Sequence, residues 1–197
     1  MNEHRSPSSR AAHRFAAPVV PVLAALLAMA TPGAAREHPP FEARAGLELA
    51  SAAAHSWAAD AVLIYIENDE PLGSAGSTPR WGYLFHSTKR DQGRAYSVRD
   101  GNILMAENLP MRFEAPPVGS QWIDSGAALA AAWQAAGHDF CRDHGGQLST
   151  MLLMRGAFQD EDLESAAWTV IFTSPSAPSL FVMVDADDAR VRRTWRG

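Results

Sequence analysis

Cysteine is nearly absent from this chain, since its 197 residues include only Cys141. A single cysteine excludes an intramolecular disulfide, so an exported fold would depend on its hydrophobic core alone. Long apolar runs are missing after residue 30, and basic residues are scattered singly apart from two adjacent pairs. The composition therefore predicts neither a membrane-spanning chain nor a surface that binds nucleic acid.

The sequence signatures of several enzyme classes are missing as well. The chain has no glycine-rich phosphate loop and no serine in a G-x-S-x-G arrangement. Its acidic run DEDLE, residues 160–164, lacks the glycine and the alternating Asp or Asn of a calcium loop. We therefore expect a protein that is not an enzyme and that uses no cofactor.

The first 30 residues carry the features of a secretory signal peptide. Three arginines and one glutamate precede an uncharged run of 15 residues, 16–30, and there are two candidate cleavage motifs, A-x-A at 28–30 and GAA at 33–35. This pattern predicts cleavage after residue 30 or residue 35 and a periplasmic or secreted product with a net charge near −7, against −5 for the whole chain. The run is shorter than the roughly 20 residues that span a bilayer, so we expect no stable membrane insertion after cleavage. No cysteine follows the run for lipid attachment.

Two stretches resemble each other at an offset of 87 residues: RWGYLFHS at 80–87 and AWTVIFTS at 167–174. They share a tryptophan, a phenylalanine and a serine, beginning with Trp81 and Trp168. Each stretch follows a helical pattern and a short β-like run, and each precedes another strand-like run. We therefore predict an α+β fold with two repeats of one helix followed by a 3-4 stranded antiparallel sheet. The predicted organisation is a first repeat at 41–113, a linker at 114–121 and a second repeat at 122–197.

The two predicted helices have apolar residues at steps of three and four, over residues 47–57 and 129–140. The second helix is expected to begin at Asp124 or Ser125 as N-cap and to end at Gly137. The six tryptophans are expected to serve packing. Four would lie in the cores of the repeats and the last two would seal the packing between them: Trp57, Trp81, Trp133, Trp168, Trp122 and Trp195.

The W-x-V-x-F strand at 168–172 and the ending FVMVDADDARV at 181–191 resemble PepSY-like domains of secreted bacterial proteins. Their unit of a helix and a sheet is also similar to beta-lactamase inhibitor proteins. Residues 184–191 resemble the family's Val-Asp-Ala-x-Thr-Gly-x-Val turn, with Asp188 and Ala189 in place of Thr and Gly. Asp100 and Gly101 stand at the corresponding hairpin of the first repeat, and residues 122–140 resemble the helix that opens a second copy.

This resemblance covers residues 41–197. It implies a non-catalytic regulatory module of the cell envelope, since some members of the family are thought to restrain peptidases. It brings no catalytic residues to this chain.

The stretch HDFCRDH, residues 138–144, concentrates metal-ligand residue types. We expect it to be a polar connector after the helix, anchored by Phe140 packing inward. The weaker alternative is a metal site at His138, Cys141 and His144, although structural zinc sites usually have four ligands and no second ligand pair is present at matching spacing. A nucleophilic role for the cysteine is disfavoured, because two neighbouring aspartates oppose a lowered thiol pKa.

The leading functional prediction is an exported non-catalytic protein-binding or regulatory module that restrains a peptidase or another envelope enzyme. Strand alternation places five residues on the sheet face away from the helices, where we expect them to contact the partner: Leu84, His86, Thr169, Ile171 and Thr173. The alternative is a small-ligand or metal-binding periplasmic protein centred on residues 138–144. A hydrolase whose residues come from distant loops stays open as a third class.

Overall fold

The computed structural model describes residues 39–113, 115–159 and 164–197. The predicted signal peptide at 1–30, with both of its cleavage positions, lies outside these residues. The strands are β1 (Val62–Asn68), β2 (Arg80–Ser87), β3 (Gln92–Arg99), β4 (Asn102–Asn108), β5 (Gln147–Met154), β6 (Ala167–Thr173), β7 (Leu180–Asp185) and β8 (Val191–Arg196). These described strands form one antiparallel sheet in the order β4-β3-β2-β1-β5-β6-β7-β8.

Two helical stretches pack on one face of this sheet. The first is α1 (Leu47–Trp57), an 11-residue helix. The second is a continuous stretch of 20 residues, in which α2 (Ser125–Ala132) passes through a π-helical turn (Trp133–Gly137) into α3 (His138–His144). Asp124 is its N-cap, as predicted, and its carboxylate accepts a hydrogen bond of 2.8 Å from the Ser125 amide.

The predicted fold of two repeats, each a helix with its own sheet, is wrong. Strands β1 and β5 pair through Ile66 with Leu153 and Glu67 with Leu152, which merges all described strands into a single sheet. The helical stretches also differ, with 11 residues in one and 20 in the other. The physical reason is that two separate sheets would each leave unpaired backbone groups along β1 and β5, whereas one sheet pairs them.

The predicted end of the second helix at Gly137 is also wrong, because the helix continues to His144. Gly137 lies in the helix at φ −62°, and a Cβ atom there would lie 2.5 Å from the ring of Phe172. This glycine therefore allows the helix to approach β6 closely. The helix ends instead at Gly145, whose φ of 60° is the left-handed conformation typical of a helix C-terminus. Residues 138–144 are thus helical rather than the connector that was expected.

The core lies between the helices and one face of the sheet. Trp81 and Trp168 are fully buried there, with ring centroids 6.1 Å apart in an edge-to-face arrangement, so the two halves of the sheet share one core. Each indole nitrogen donates to a backbone carbonyl, Trp81 to Phe41 at 2.8 Å and Trp168 to Ile123 at 2.9 Å. The predicted packing role of these two tryptophans is confirmed.

The outcome differs among the other tryptophans. Trp122 is buried against Trp168, with centroids 6.1 Å apart, but Trp133 is 40% exposed and Trp195 lies on the opposite face of the sheet. Phe140 is buried, as predicted.

Residues 109–113 and 115–124 connect β4 with α2 without forming a helix or strand. The predicted domain boundaries at 41–113, 114–121 and 122–197 stay predictions. In the part of the chain that is described, no helix combines the length and the apolar character needed to cross a bilayer.

Candidate functional site

The sheet has a second face, opposite the helices, which we call the open face. Its side chains follow from the strand registers. One row runs across four neighbouring strands through Thr150, Ile171, Phe181 and Trp195. The next row includes Leu152, Thr169, Met183 and Arg193. The first row is the more accessible one, because in the second row Leu152, Thr169 and Met183 are buried.

An aromatic cluster lies on the open face at its β7–β8 side, formed by Phe158, Phe181 and Trp195. The rings of Phe181 and Trp195 are stacked, with centroids 5.0 Å apart and planes inclined by 12°. Phe158 contacts both rings at 5.6 and 5.5 Å. The Arg193 guanidinium lies 4.7 Å from the centroid of the Trp195 ring. The cluster therefore combines three aromatic rings with a cation, within reach of Ile171 on β6.

Phe158 is held outward at this cluster. It lies in a short helical turn after β5, with φ 51° and ψ 40°, a left-handed conformation that costs about 1–2 kcal/mol for a residue with a side chain. Its side chain is nevertheless 42% exposed. Its two aromatic contacts, with Phe181 and Trp195, are of a size to offset that cost, at about 0.5–1.5 kcal/mol for each pair. The result is an apolar ring fixed at the surface.

A second aromatic contact lies on the β1 part of the open face. Tyr65 and Phe113 meet edge to face, with centroids 6.3 Å apart, and the Tyr65 hydroxyl donates to Glu67. Burial, followed by the contact with Glu67, raises the pKa of Tyr65 well above its usual range. Tyr65 therefore stays a neutral hydrogen-bond donor at every pH at which the protein would work.

The five residues predicted to contact a partner all lie on the open face, but they differ in accessibility. Leu84 and Thr169 are buried, whereas His86, Ile171 and Thr173 are half-buried. Among the described residues, His86 Nε2 and Thr169 Oγ1 are buried polar atoms without a hydrogen-bond partner. A partner's side chain can reach Ile171 beside the aromatic cluster, but it cannot reach Thr169 without displacing its neighbours. Their role in partner contact stays a prediction.

The ligand-type residues of HDFCRDH point in different directions because they lie on a helix. His138 packs against Trp133, with ring centroids 5.8 Å apart, and His144 packs against Phe140 at 5.4 Å. Cys141 lines a cavity on the helix side of the sheet. Within the described ranges, no three His, Cys, Asp or Glu side chains gather closely enough to hold a metal ion. Metal binding by these residues stays a prediction without a preformed site in that part of the chain.

The charged residues of α3 bind one another. Arg142 reaches Asp139 at 2.8 Å and Asp143 at 2.7 Å, and the hydrogen bond from Arg142 lowers the pKa of the Asp143 carboxyl. Burial raises the pKa of the Cys141 thiol, which disfavours the thiolate that a nucleophile requires. These contacts support no catalytic arrangement at α3.

The grouping of Phe158, Phe181 and Trp195 was not predicted from the sequence. Every residue of β7 except its last is apolar, so alternation along LFVMVD does not show which side chains face the helices. Phe158 comes from a loop, where no periodic pattern applies. The one sequence signal for the aromatic cluster was Trp195, a large aromatic residue among three arginines on an edge strand.

No protein-family model and no curated protein sequence matches the chain. A solved structure from Clostridium difficile 630, described as a "putative lipoprotein", is similar to it with a TM-score of 0.52. The similarity covers 77% of this chain and 93% of that chain, at 10% sequence identity. At this identity the likeness shows the fold alone. The chain is therefore similar in fold to that bacterial protein.

Proposed function

We propose that this chain is an exported, non-catalytic module that binds another protein through its open face. The observation that carries the proposal is the aromatic cluster of Phe158, Phe181 and Trp195 on a sheet face that the helices leave uncovered. Tryptophan, other aromatic residues and arginine are the side chains most enriched at the energetic centres of protein interfaces. The cluster supplies these with Arg193 at its side.

The geometry of the cluster supports binding because its rings are already fixed. Stacking of Phe181 on Trp195 and the contacts of Phe158 hold the rings in place before a partner arrives. A preordered surface loses less side-chain entropy on binding, at about 0.5–1.5 kcal/mol for each side chain that would otherwise be immobilised. The exposed ring of Phe158 is therefore suited to be the main contact, with Ile171 extending the surface towards the middle of the sheet.

Export is supported by the signal-like sequence at 1–30 and by the similarity in fold to a protein described as a "putative lipoprotein". The partner we propose is a peptidase or another enzyme of the cell envelope, restrained when the open face covers part of it. The resemblance to PepSY-like domains supports this regulatory role.

The experiment is a pull-down from a bacterial envelope fraction with the purified chain as bait. The test variant is Phe158→Ser, which removes the most exposed ring of the cluster. The control is Leu49→Ser, because Leu49 is also an exposed apolar residue (36%) but lies on α1. We expect one partner to be retained by the wild type and by Leu49→Ser, and to be reduced about tenfold with Phe158→Ser.

Circular dichroism and thermal melting of each variant establish that the bait is folded. If Phe158→Ser and the wild type retained the partner equally, the open face would not be the binding surface. Absence of any retained protein from the wild-type bait would count against the protein-binding function itself.

A further inference from the structure

A cavity of about 1190 Å³ lies on the helix side of the sheet, away from the open face. One wall is Asn68 at the end of β1 with the loop that follows it, residues 69–75, and the opposite wall is α2 with the π-helical turn. The remaining side is the start of β5 together with Cys141 of α3. Ligand cavities usually measure about 300–1,000 Å³, so this space is large enough for a whole small molecule.

The cavity follows from the stagger of β1 against β5. The described pairing of these strands joins two positions near the end of β1. The first residues of β5 therefore extend beyond Asn68 and pair with β6 but not with β1. The Asn68 side chain closes the end of the pairing by donating to the Ser149 carbonyl at 3.3 Å and accepting from the Met151 amide at 2.7 Å. Beyond this point the space beside β5 is bounded by side chains from the helix and the loop.

The π-helical turn shapes the cavity wall. Such turns are rare and occur frequently at functional sites, because the extra residue per turn displaces side chains from the regular helix surface. Here the turn places Trp133 at the cavity, 40% exposed, while Gly137 on the same turn packs against Phe172. One turn therefore both anchors the helix to the sheet and presents an aromatic ring to the cavity.

The lining indicates the chemistry of an occupant. Its apolar surface comes from Leu72, Leu129, Trp133 and Leu148, and amide or hydroxyl groups of Gln134, Gln147 and Ser149 lie among them.

Among the described residues, none that lines the cavity is Lys, Arg or His, so this lining presents no cation to an anionic ligand. The two carboxylates at the cavity already have cations: Glu70 binds Arg99 at 3.1 Å, and Asp69 lies 3.7 Å from Arg80.

We propose that this cavity binds an uncharged, largely apolar small molecule that carries one or two hydrogen-bonding groups. The ring of Trp133 and the leucine side chains cover the apolar body, and the glutamine amides orient its polar groups. This cavity is separate from the open face, and ligand binding in it does not depend on protein binding at that face.

The test titrates the purified chain with N-phenyl-1-naphthylamine, a neutral apolar fluorophore. The fluorescence of the probe is excited directly. Ala130 and Ala127 offer a matched pair, since both are exposed alanines of α2 and only Ala130 lines the cavity. We expect Ala130→Trp to fill the cavity and weaken probe binding about tenfold, and Ala127→Trp to stay within about twofold of wild type. The anionic probe 1-anilinonaphthalene-8-sulfonate should bind about tenfold more weakly than the neutral one.

Cys141, the sole cysteine of the chain, reports the location of the probe. Saturating N-phenyl-1-naphthylamine should slow alkylation of Cys141 by N-ethylmaleimide severalfold, as followed by the mass of the intact protein. The variant Phe158→Ser should leave probe binding unchanged, which keeps this test independent of the open face. Equal probe binding by Ala130→Trp and wild type, unprotected Cys141, or preference for the anionic probe would each overturn the proposal.

Discussion

Gly137 shows how one residue determines the position of a helix on the sheet. A methyl group at this position would lie 2.5 Å from the Phe172 ring, so the helix must move or the ring must rotate. We predict that Gly137→Ala lowers the free energy of unfolding by about 1–3 kcal/mol through overpacking. Urea denaturation followed by circular dichroism measures the change.

The control for this substitution is Ala135→Gly on the same π-helical turn, where Ala135 is exposed. Helix propensity alone makes glycine worse than alanine by about 1 kcal/mol at an exposed position. The preference should therefore reverse between these positions, with glycine favoured at 137 and alanine at 135. A stabilised Gly137→Ala protein would contradict the close approach of the helix to β6.

Asp60 gives the turn between β2 and β3 a dependence on pH. Its carboxylate accepts hydrogen bonds from the Lys89 amide at 2.9 Å and from the Ser87 hydroxyl at 2.8 Å. The Lys89 hydrogen bond is the main cause that lowers the pKa of Asp60 below its ordinary value. A lowered pKa in the folded state adds stability above the ordinary pKa, and that stability is lost as the pH falls through the lowered value.

We therefore predict that Asp60→Asn makes the free energy of unfolding less dependent on pH between about pH 5 and about pH 3 than it is in the wild type. Urea denaturation at a series of pH values provides the measurement. Ser87→Ala removes one of the two hydrogen bonds and should give an intermediate dependence. An unchanged pH profile for Asp60→Asn would show that the carboxylate does not bind the turn.

At the residue scale, the backbone conformation could be predicted from the sequence wherever a local rule determines it. The cap at Asp124 and the hairpin at Asp100 and Gly101, with φ of 53° and 68°, follow from side-chain and backbone chemistry within a few residues. Gly137 was wrongly predicted to end the helix. A glycine is needed there because of the Phe172 ring, 35 positions later in the chain, and no local pattern contains that contact. Ala189, which stands where the PepSY-like pattern has glycine, adopts a φ of 64°.

Among the elements, one side chain extends the junction of β1 with β5 beyond its two paired positions. Asn68 binds the Ser149 carbonyl and the Met151 amide of β5, and Met151 is fully buried. We predict that Asn68→Ala lowers the free energy of unfolding by about 1–3 kcal/mol, because the Met151 amide loses its acceptor. Asn68→Asp should lose less, since it keeps the acceptor. Thermal and urea unfolding both measure the effect.

A matched control is Asn102→Ala, since Asn102 is exposed and donates only locally, to the Asp100 carbonyl at 2.8 Å. The expected change is within about 0.5 kcal/mol. Equal losses at positions 68 and 102 would mean that Asn68 contributes nothing specific to the junction.

Strand positions were largely predictable, because alternation and apolar content are properties of short segments. The pairing of β1 with β5 was not predictable, since it joins residues 85 and 87 positions apart, in segments whose apolar residues would suit other neighbours equally. The helix at 138–144 was missed because Gly137 was expected to end the preceding helix, whereas the helix continues through it. Its stability comes mainly from Phe140 packing inward, because the ion pairs of Arg142 are exposed to solvent and contribute little.

For the whole molecule, a shared core predicts a single unfolding transition. Trp81 and Trp168 belong to different halves of the chain and contact each other, so neither half keeps its core when the other unfolds. We expect the circular dichroism and tryptophan fluorescence curves in urea to coincide, as they do for a cooperative domain.

A fragment of residues 39–121 should remain unfolded for the same reason. Two separated transitions, or a folded fragment, would instead show that the first four strands form an independent unit.

The cavity and the aromatic cluster could not be predicted from the sequence. Leu72, Leu129 and Leu148 reach the cavity from a loop, a helix and a strand, and each would be assigned to a core by its hydrophobicity alone. The open face was predicted as a mixed surface, but the burial of Leu84 and Thr169 depends on neighbours from other strands.

The two outer strands of the sheet differ in how they resist association with other chains. Strand β8 carries the exposed residues Arg193 and Arg196, and charged residues at a sheet edge oppose pairing with another strand. Strand β4 carries Leu104 and Met105, which are 54% and 40% exposed, with Glu107 as its charged residue. In concentrated or heated solution, aggregation should therefore begin at β4, and a lysine in place of Leu104 would keep the protein monodisperse for longer.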